Sequence, residues 1–152
     1  MIYKEEKRDL FSVDKTYYLA HCISADFGMG KGIAVEFNRR FNTKNKLFEM
    51  FAGDVTHAWD KNGENGEPQG VCFKVDRVLN LITKRNYWMK PTYKTFKEAI
   101  ISMKEIVSDY HINKIAMPII GCGLDKLEWS KVSEIIKNVF NDMDIEILIC
   151  YL

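Results

Sequence analysis

Met117-Pro118-Ile119-Ile120-Gly121-Cys122-Gly123-Leu124-Asp125, continued by Lys126-Leu127-Glu128-Trp129, is the most informative run in the chain. Lys114-Ile115-Ala116 leads into it as a short apolar strand. Beyond it, Val132, Ile135, Ile136, Val139 and Phe140 recur at helical spacing. A strand that opens through a glycine turn into an acidic residue and a helix brings bare backbone close to a ligand. Glycine tolerates both positive φ and close approach. The N–H groups of such a turn, and of the helix that follows, favour anionic oxygens. A tight strand-to-helix turn without any ligand shows the same local pattern. The chain, however, holds a second turn of this kind.

The second unit begins at Thr16-Tyr17-Tyr18-Leu19-Ala20-His21-Cys22-Ile23-Ser24, which is β-branched, aromatic and mostly apolar, the composition of a buried strand. It runs into Ala25-Asp26-Phe27-Gly28-Met29-Gly30-Lys31-Gly32. Then Ile33, Ala34, Phe37 and Phe41 fall on one helical face, with Glu36, Arg39 and Arg40 on the other. Gly28, Gly30 and Gly32, spaced two apart before a helix, suit phosphate cradling; a plain flexible loop is the alternative. Gly30-Lys31 is followed by Gly32 and not by Ser or Thr, so this is no Walker loop, and it does not match G-x-G-x-x-G either.

Between the two units, Asn42 to Lys46 read as a polar connection, and Gly53 to Trp59 alternate like a strand. Asn62-Gly63 and Asn65-Gly66 are hairpin signals. The strand pattern resumes at Val71 to Val75 and at Val78 to Thr83. His57 and Trp59 are expected at the surface or in a satellite core. Leu79-Asn80-Leu81-Ile82-Thr83-Lys84 brings Lys84 to the end of an apolar strand, where α/β sheets place ligand crevices. A lysine partly desolvated there offers a neutral, nucleophilic amine, although a solvated lysine at a strand end reads the same locally. Pro91 and Thr92 mark a helix start. Tyr93, Phe96, Ile100, Met103, Ile106, Val107 and Tyr110 follow as a core-facing stripe, and Ile145 to Leu152 close the chain as a strand. Alternating strands and helices predict an α/β fold around a mixed sheet, with its antiparallel part assigned to the hairpin near residues 60–68.

At 152 residues, the chain is read as one domain over 1–152, long enough for a sizeable core. Hydrophobic residues at 47% and charged residues at 28% are ordinary for a globular protein. Lys+Arg of 22 against Asp+Glu of 21 gives a net charge of +1, hence no general drive towards nucleic acid or anionic membrane. The charged N-terminal run lacks an apolar signal core and no stretch approaches a membrane span, so the expected location is cytoplasmic. Cys22, Cys72, Cys122 and Cys150 are far apart and signal neither a zinc site nor a disulfide framework.

Together these stretches resemble the macrodomain family, the ADP-ribose-binding three-layer α/β/α sandwich with a central mixed sheet. The closest likeness is to its terminal ADP-ribose protein glycohydrolase branch. The resemblance runs from Asp9 to Leu152. It rests on Leu19-Ala20-His21-Cys22-Ile23-Ser24, on Met29-Gly30-x-Gly32-Ile33-Ala34-Val35, on Leu81-Ile82-Thr83-Lys84 with Lys90-Pro91-Thr92-Tyr93, and on Gly121-Cys122-Gly123-Leu124-Asp125 with Trp129. Four motifs in order are far more specific than any one of them.

The resemblance implies an ADP-ribose pocket between the sheet ends and the two glycine turns. Asp9, with Leu10 beside it, matches the acidic residue that accepts from the adenine amino group. Gly30, Gly32 and Ile33 match the loop around pyrophosphate and distal ribose; Ile120, Gly121, Cys122, Gly123 and Leu124 match the second loop. Ser24 matches a ribose or phosphate contact. His21 is read as a core histidine, and Cys122 as a residue kept for its size. Lys84 is implied as the nucleophile at the anomeric carbon of the distal ribose, expelling the carboxylate of an ADP-ribosylated acidic side chain. Asp125 is implied as the acid and base that helps water release the lysine adduct. No metal and no cofactor are implied. The expected partners are ADP-ribose and ADP-ribosylated protein, for a monomer, with deacylation of O-acetyl-ADP-ribose as a side activity. Ile119 departs from the branch, which carries arginine there. Two alternatives stand beside this reading: an antitoxin-type DNA ADP-ribosyl glycohydrolase, which also uses a lysine, and a non-catalytic reader of ADP-ribose.

Overall fold

Strands that are apolar on both faces must be covered on both sides. In the computed structural model, which describes residues 1–152 except Asn62, Glu64 and Leu124, four such strands form the centre of a six-stranded sheet. They are β2 (Tyr18–Ser24), β4 (Val78–Lys84), β5 (Lys114–Met117) and β6 (Glu146–Tyr151). With β1 (Ile2–Lys7) and β3 (Val71–Val75) at the edges, the order is β1-β6-β5-β2-β4-β3. All neighbours are parallel except β3, which runs antiparallel to β4.

Period-two alternation divides the core. Ala20, Leu79, Leu81, Ile115, Met117, Ile147 and Ile149 face helices α4 (Tyr93–Asp109) and α5 (Trp129–Phe140). The intervening side chains Leu19, Ile23, Val78, Ile82, Ala116 and Leu148 face the other way. They pack on α1 (Ile33–Phe41), α2 (Thr43–Phe51) and α3 (Thr56–Trp59). This is the expected three-layer sandwich. Thr92 caps α4 through Thr95 N, as the Pro91-Thr92 signal predicts.

Three local expectations are corrected. Residues 53–59 hold α3, not a strand: Asp54 accepts from Thr56 N at 3.3 Å, and Val55 and Trp59, four apart, are buried on one helical face. The segment from Asn42 is not a simple connection, since α2 starts at Thr43, with Asn42 turning the chain in the left-handed region at φ 52. The antiparallel pair does not arise from a hairpin near 60–68, because a helix precedes that segment; β3 and β4 are instead joined at Asp76-Arg77, with Asp76 at φ 53. Asn62 itself lies outside the described residues. The charged N-terminus, for which the sequence pattern indicates no element, forms β1, an edge strand paired with β6, where lysines and glutamates can face water.

His21 is a core histidine, as its sequence context suggests. Its imidazole stacks on Phe37 at 3.9 Å, and its Nε2 donates to Asn80 Oδ1 at 2.7 Å, leaving Nδ1 without a partner. Burial pushes its pKa down from 6.5 to about 4, with the Asn80 bond opposing. Between those values the unfolded chain binds more protons than the folded one. The neutral ring's stability contribution is therefore complete above the unfolded pKa and is lost as pH falls. Denaturant titrations at pH 7 and pH 5 should differ by about 2 kcal/mol from this residue. His21→Gln, which cannot titrate, should flatten that part of the slope even if it lowers stability at both pH values.

Candidate active site

In parallel sheets, ligand crevices open at the carboxyl ends of the strands, where neighbouring connections leave in opposite directions. Here that point lies between β5 and β2. The chain leaves β2 for α1 on one face and leaves β5 for α5 on the other. A cleft of about 610 Å³ sits there, well inside the usual range for small-ligand sites. Ser24, Gly30, Gly32, Ile33, Lys84, Ile120, Gly121, Gly123 and Asp125 line it. A second cavity of about 690 Å³ adjoins it, sharing Ile33, Pro118 and Ile119, with Asp9 and Leu10 in its wall. The two together form one long groove.

At one end of the groove, Lys84 Nζ donates to Asp125 Oδ1 at 2.5 Å, and each side chain is 12% exposed. The last residue of β4 supplies the lysine and the turn after β5 supplies the carboxylate, 41 residues later. Two thiols lie close by. Burial, reinforced by the Asp125 carboxylate, pushes Cys122 up to about 11 and Cys22 well above its ordinary value. Both are therefore thiols, not thiolates, at neutral pH, so neither is an activated nucleophile.

The middle of the groove is built for anions. Gly32 stands at the N-terminus of α1 at φ 63, a conformation that disfavours other residues, and offers no side-chain cap. The first amides of α1 thus face the cleft without a side-chain acceptor. Lys31 and Lys44 add positive charge to the lining. Opposite, Gly121 turns at φ 74 and its carbonyl accepts from Leu127 N at 2.7 Å, which closes the second loop.

At the far end, Asp9 caps the short 3-10 turn Leu10–Ser12 by accepting from Phe11 N at 2.9 Å. Leu10 has its side chain in the core, so only its backbone is available to a ligand. Ser24 is also buried, its hydroxyl donating to Asp26. The Cys122 side chain packs against the α4–α5 core and is absent from the cleft lining, while Leu124 lies outside the described residues. Lys44 and Tyr87 join the cleft without being anticipated. Lys44 sits on a helix that the polar sequence concealed, and Tyr87 sits in a loop with no local signature. Among the described residues, no cluster of His, Cys, Asp or Glu could hold a metal ion, and no helix is long and apolar enough to cross a membrane.

No family model matches the chain. It is 37% identical over 143 residues, covering 94% of the chain and 87% of the relative, to the human protein named ADP-ribose glycohydrolase OARD1. It is 28% identical to a Mycobacterium tuberculosis protein named DNA ADP-ribosyl glycohydrolase, over 89% of this chain and 38% of that one. The fold matches the macrodomain of Mycobacterium tuberculosis DarG at a TM-score of 0.75 and 19% identity, covering 98% of this chain and 97% of that one. The first relative, the DarG fold and the groove described above converge: this chain belongs to the macrodomain family and, within it, to the hydrolases of the ADP-ribose glycohydrolase branch.

Proposed function

We propose that the chain releases ADP-ribose from glutamate or aspartate esters on proteins, through a covalent adduct on Lys84. The observation that carries this reading is the Lys84–Asp125 contact at one end of a groove whose middle is lined by backbone amides. A substrate laid along the groove has its adenine at Asp9, its pyrophosphate over Gly30, Gly32 and the start of α1, and its distal ribose at Lys84.

Asp125 takes a proton from Lys84, leaving a neutral amine. The amine forms a C–N bond to the anomeric carbon as the C–O bond to the carrier breaks, and the carrier leaves as a carboxylate. Asp125 releases its proton to solvent, while the adduct nitrogen stays protonated. Asp125, deprotonated again, removes a proton from water, which attacks the same carbon. The C–N bond breaks, and the lysine leaves as a neutral amine that takes the water-derived proton back from Asp125. The net change is ester plus water to ADP-ribose plus carboxylic acid. Orientation by the two loops supplies part of the rate gain. The same steps expel acetate from an O-acetyl-ADP-ribose whose acetyl group sits on the anomeric oxygen.

DNA-linked ADP-ribose is the second reading, supported by the name of the mycobacterial relative. A non-catalytic reader makes no use of the Lys84–Asp125 pair.

A time course on protein carrying mono-ADP-ribose on glutamate, run beside ADP-ribosylated DNA, separates the three. Release from protein, abolished in Lys84→Ala, is the expected result; release from DNA alone, or binding without release, overturns the ester reading. Asp125→Ala should lower kcat by roughly 10²- to 10⁴-fold, the usual span for a lost acid–base group. Cyanoborohydride added during turnover should reduce the ring-opened imine form of the adduct, leaving a stable reduced ADP-ribosyl group on the peptide containing Lys84. At the other end of the groove, Asp9→Ala should weaken binding of free ADP-ribose about tenfold by calorimetry, the worth of one charge-assisted hydrogen bond.

A further inference from the structure

Tyr87 lies three residues beyond Lys84, lines the same cleft, and is 60% exposed. An exposed aromatic ring in a loop would ordinarily wander, but here the backbone that carries it is fixed at several points. Tyr87 N donates to Asp26 Oδ2 at 3.0 Å, and Gly28 N donates to Asp26 Oδ1 at 3.1 Å. Asn86 Nδ2 reaches the same carboxylate at 3.5 Å, and Ser24 Oγ donates to it as well. These bonds hold the Asp26 carboxyl below the usual carboxylate range, although partial burial pushes it the other way. Arg85 pairs with Asp60 at 2.8 Å on the other side of the loop. The tyrosine also packs directly on bare backbone: a Cβ at Gly28 would stand 2.7 Å from Tyr87 Cβ and 3.1 Å from its Cγ. Nothing larger than glycine leaves the ring where it is.

The ring is therefore a placed wall at the Lys84 end of the groove. Once adenine and pyrophosphate fill the rest, the group that projects past Lys84 is whatever the ADP-ribose is attached to. We propose that Tyr87, positioned by Asp26 and Gly28, is a specificity-determining residue that packs against the peptide carrying the modified side chain. This inference rests on the assignment of the Lys84 end to the distal ribose. The rim beside the ring favours a peptide over a nucleic-acid strand. Trp88 and Met89 extend it with exposed, uncharged surface, and the adjacent cation, Arg85, is already tied to Asp60.

The test is a binding comparison in the Lys84→Ala background, so that no turnover is needed. Three probes are titrated by calorimetry: free ADP-ribose, a peptide carrying ADP-ribose on glutamate, and a DNA oligonucleotide carrying ADP-ribose on a base. Adding Tyr87→Ala should weaken the peptide about tenfold and free ADP-ribose less than twofold. Tyr87→Phe should restore peptide binding, because the ring and not its hydroxyl makes the wall. Equal peptide affinity with and without Tyr87→Ala overturns the proposal. So does an equal loss for free ADP-ribose, which would make the ring part of the nucleotide site, or a loss confined to the DNA probe. Turnover by the wild-type chain is scored separately: if it fails while the peptide effect holds, the hydrolytic reading falls and the wall stands.

Discussion

A lysine and an aspartate, each only 12% exposed and 2.5 Å apart, set the constraint around which this molecule is arranged. Neither charge could be kept so dry alone, since removing one partner of a buried pair leaves the other uncompensated. Their meeting requires the end of β4 and the turn after β5 to converge on the two sides of β2. That convergence in turn requires a parallel sheet with its central strands covered on both faces. Layering, strand order and the opposite exits of α1 and α5 all serve one short contact.

Charge along the groove is local. The chain as a whole is nearly neutral, yet the groove has two cationic side chains and an uncapped helix start in its middle. An elongated diphosphate fits this distribution, because the uncapped helix start and its two lysines lie together in one stretch. Asp26, a negative charge near that stretch, is surrounded by donors from both flanking loops and holds them together.

Much of this was legible before any coordinates. The period-two strands, the two glycine turns and the position of Lys84 at a strand end are local patterns, and local patterns survive in sequence. The elements that escaped were those whose stability comes from elsewhere. α2 is polar along most of its length and is held by burying Thr43 and Leu47, which no nearby residue announces. β1 is charged and exists because β6 offers it a free edge at the opposite end of the chain. The residues 53–59 mislead because Val55 and Trp59 satisfy both an alternating and a four-residue spacing, and the turn in which Asp54 accepts from Thr56 N favours the helix. In the site, Lys84 and Asp125 could be named from sequence, but their contact spans 41 residues and the Tyr87–Gly28 packing spans two loops. Those are facts about three dimensions.

The position of β2 has a further consequence, for the order in which the molecule comes into being. It is made early and sits in the middle of the sheet, yet its two neighbours come much later: His21 pairs with Asn80, 59 residues on, and Leu19 with Ala116. A nascent chain therefore presents an apolar strand with both edges open until most of the protein has been synthesised. Such long-range pairing is slow to form and leaves the waiting strand prone to association. Because Lys84 and Asp125 hang from those same late partners, no half-built form can possess their contact. The buried pair and the completed fold arrive in the same step.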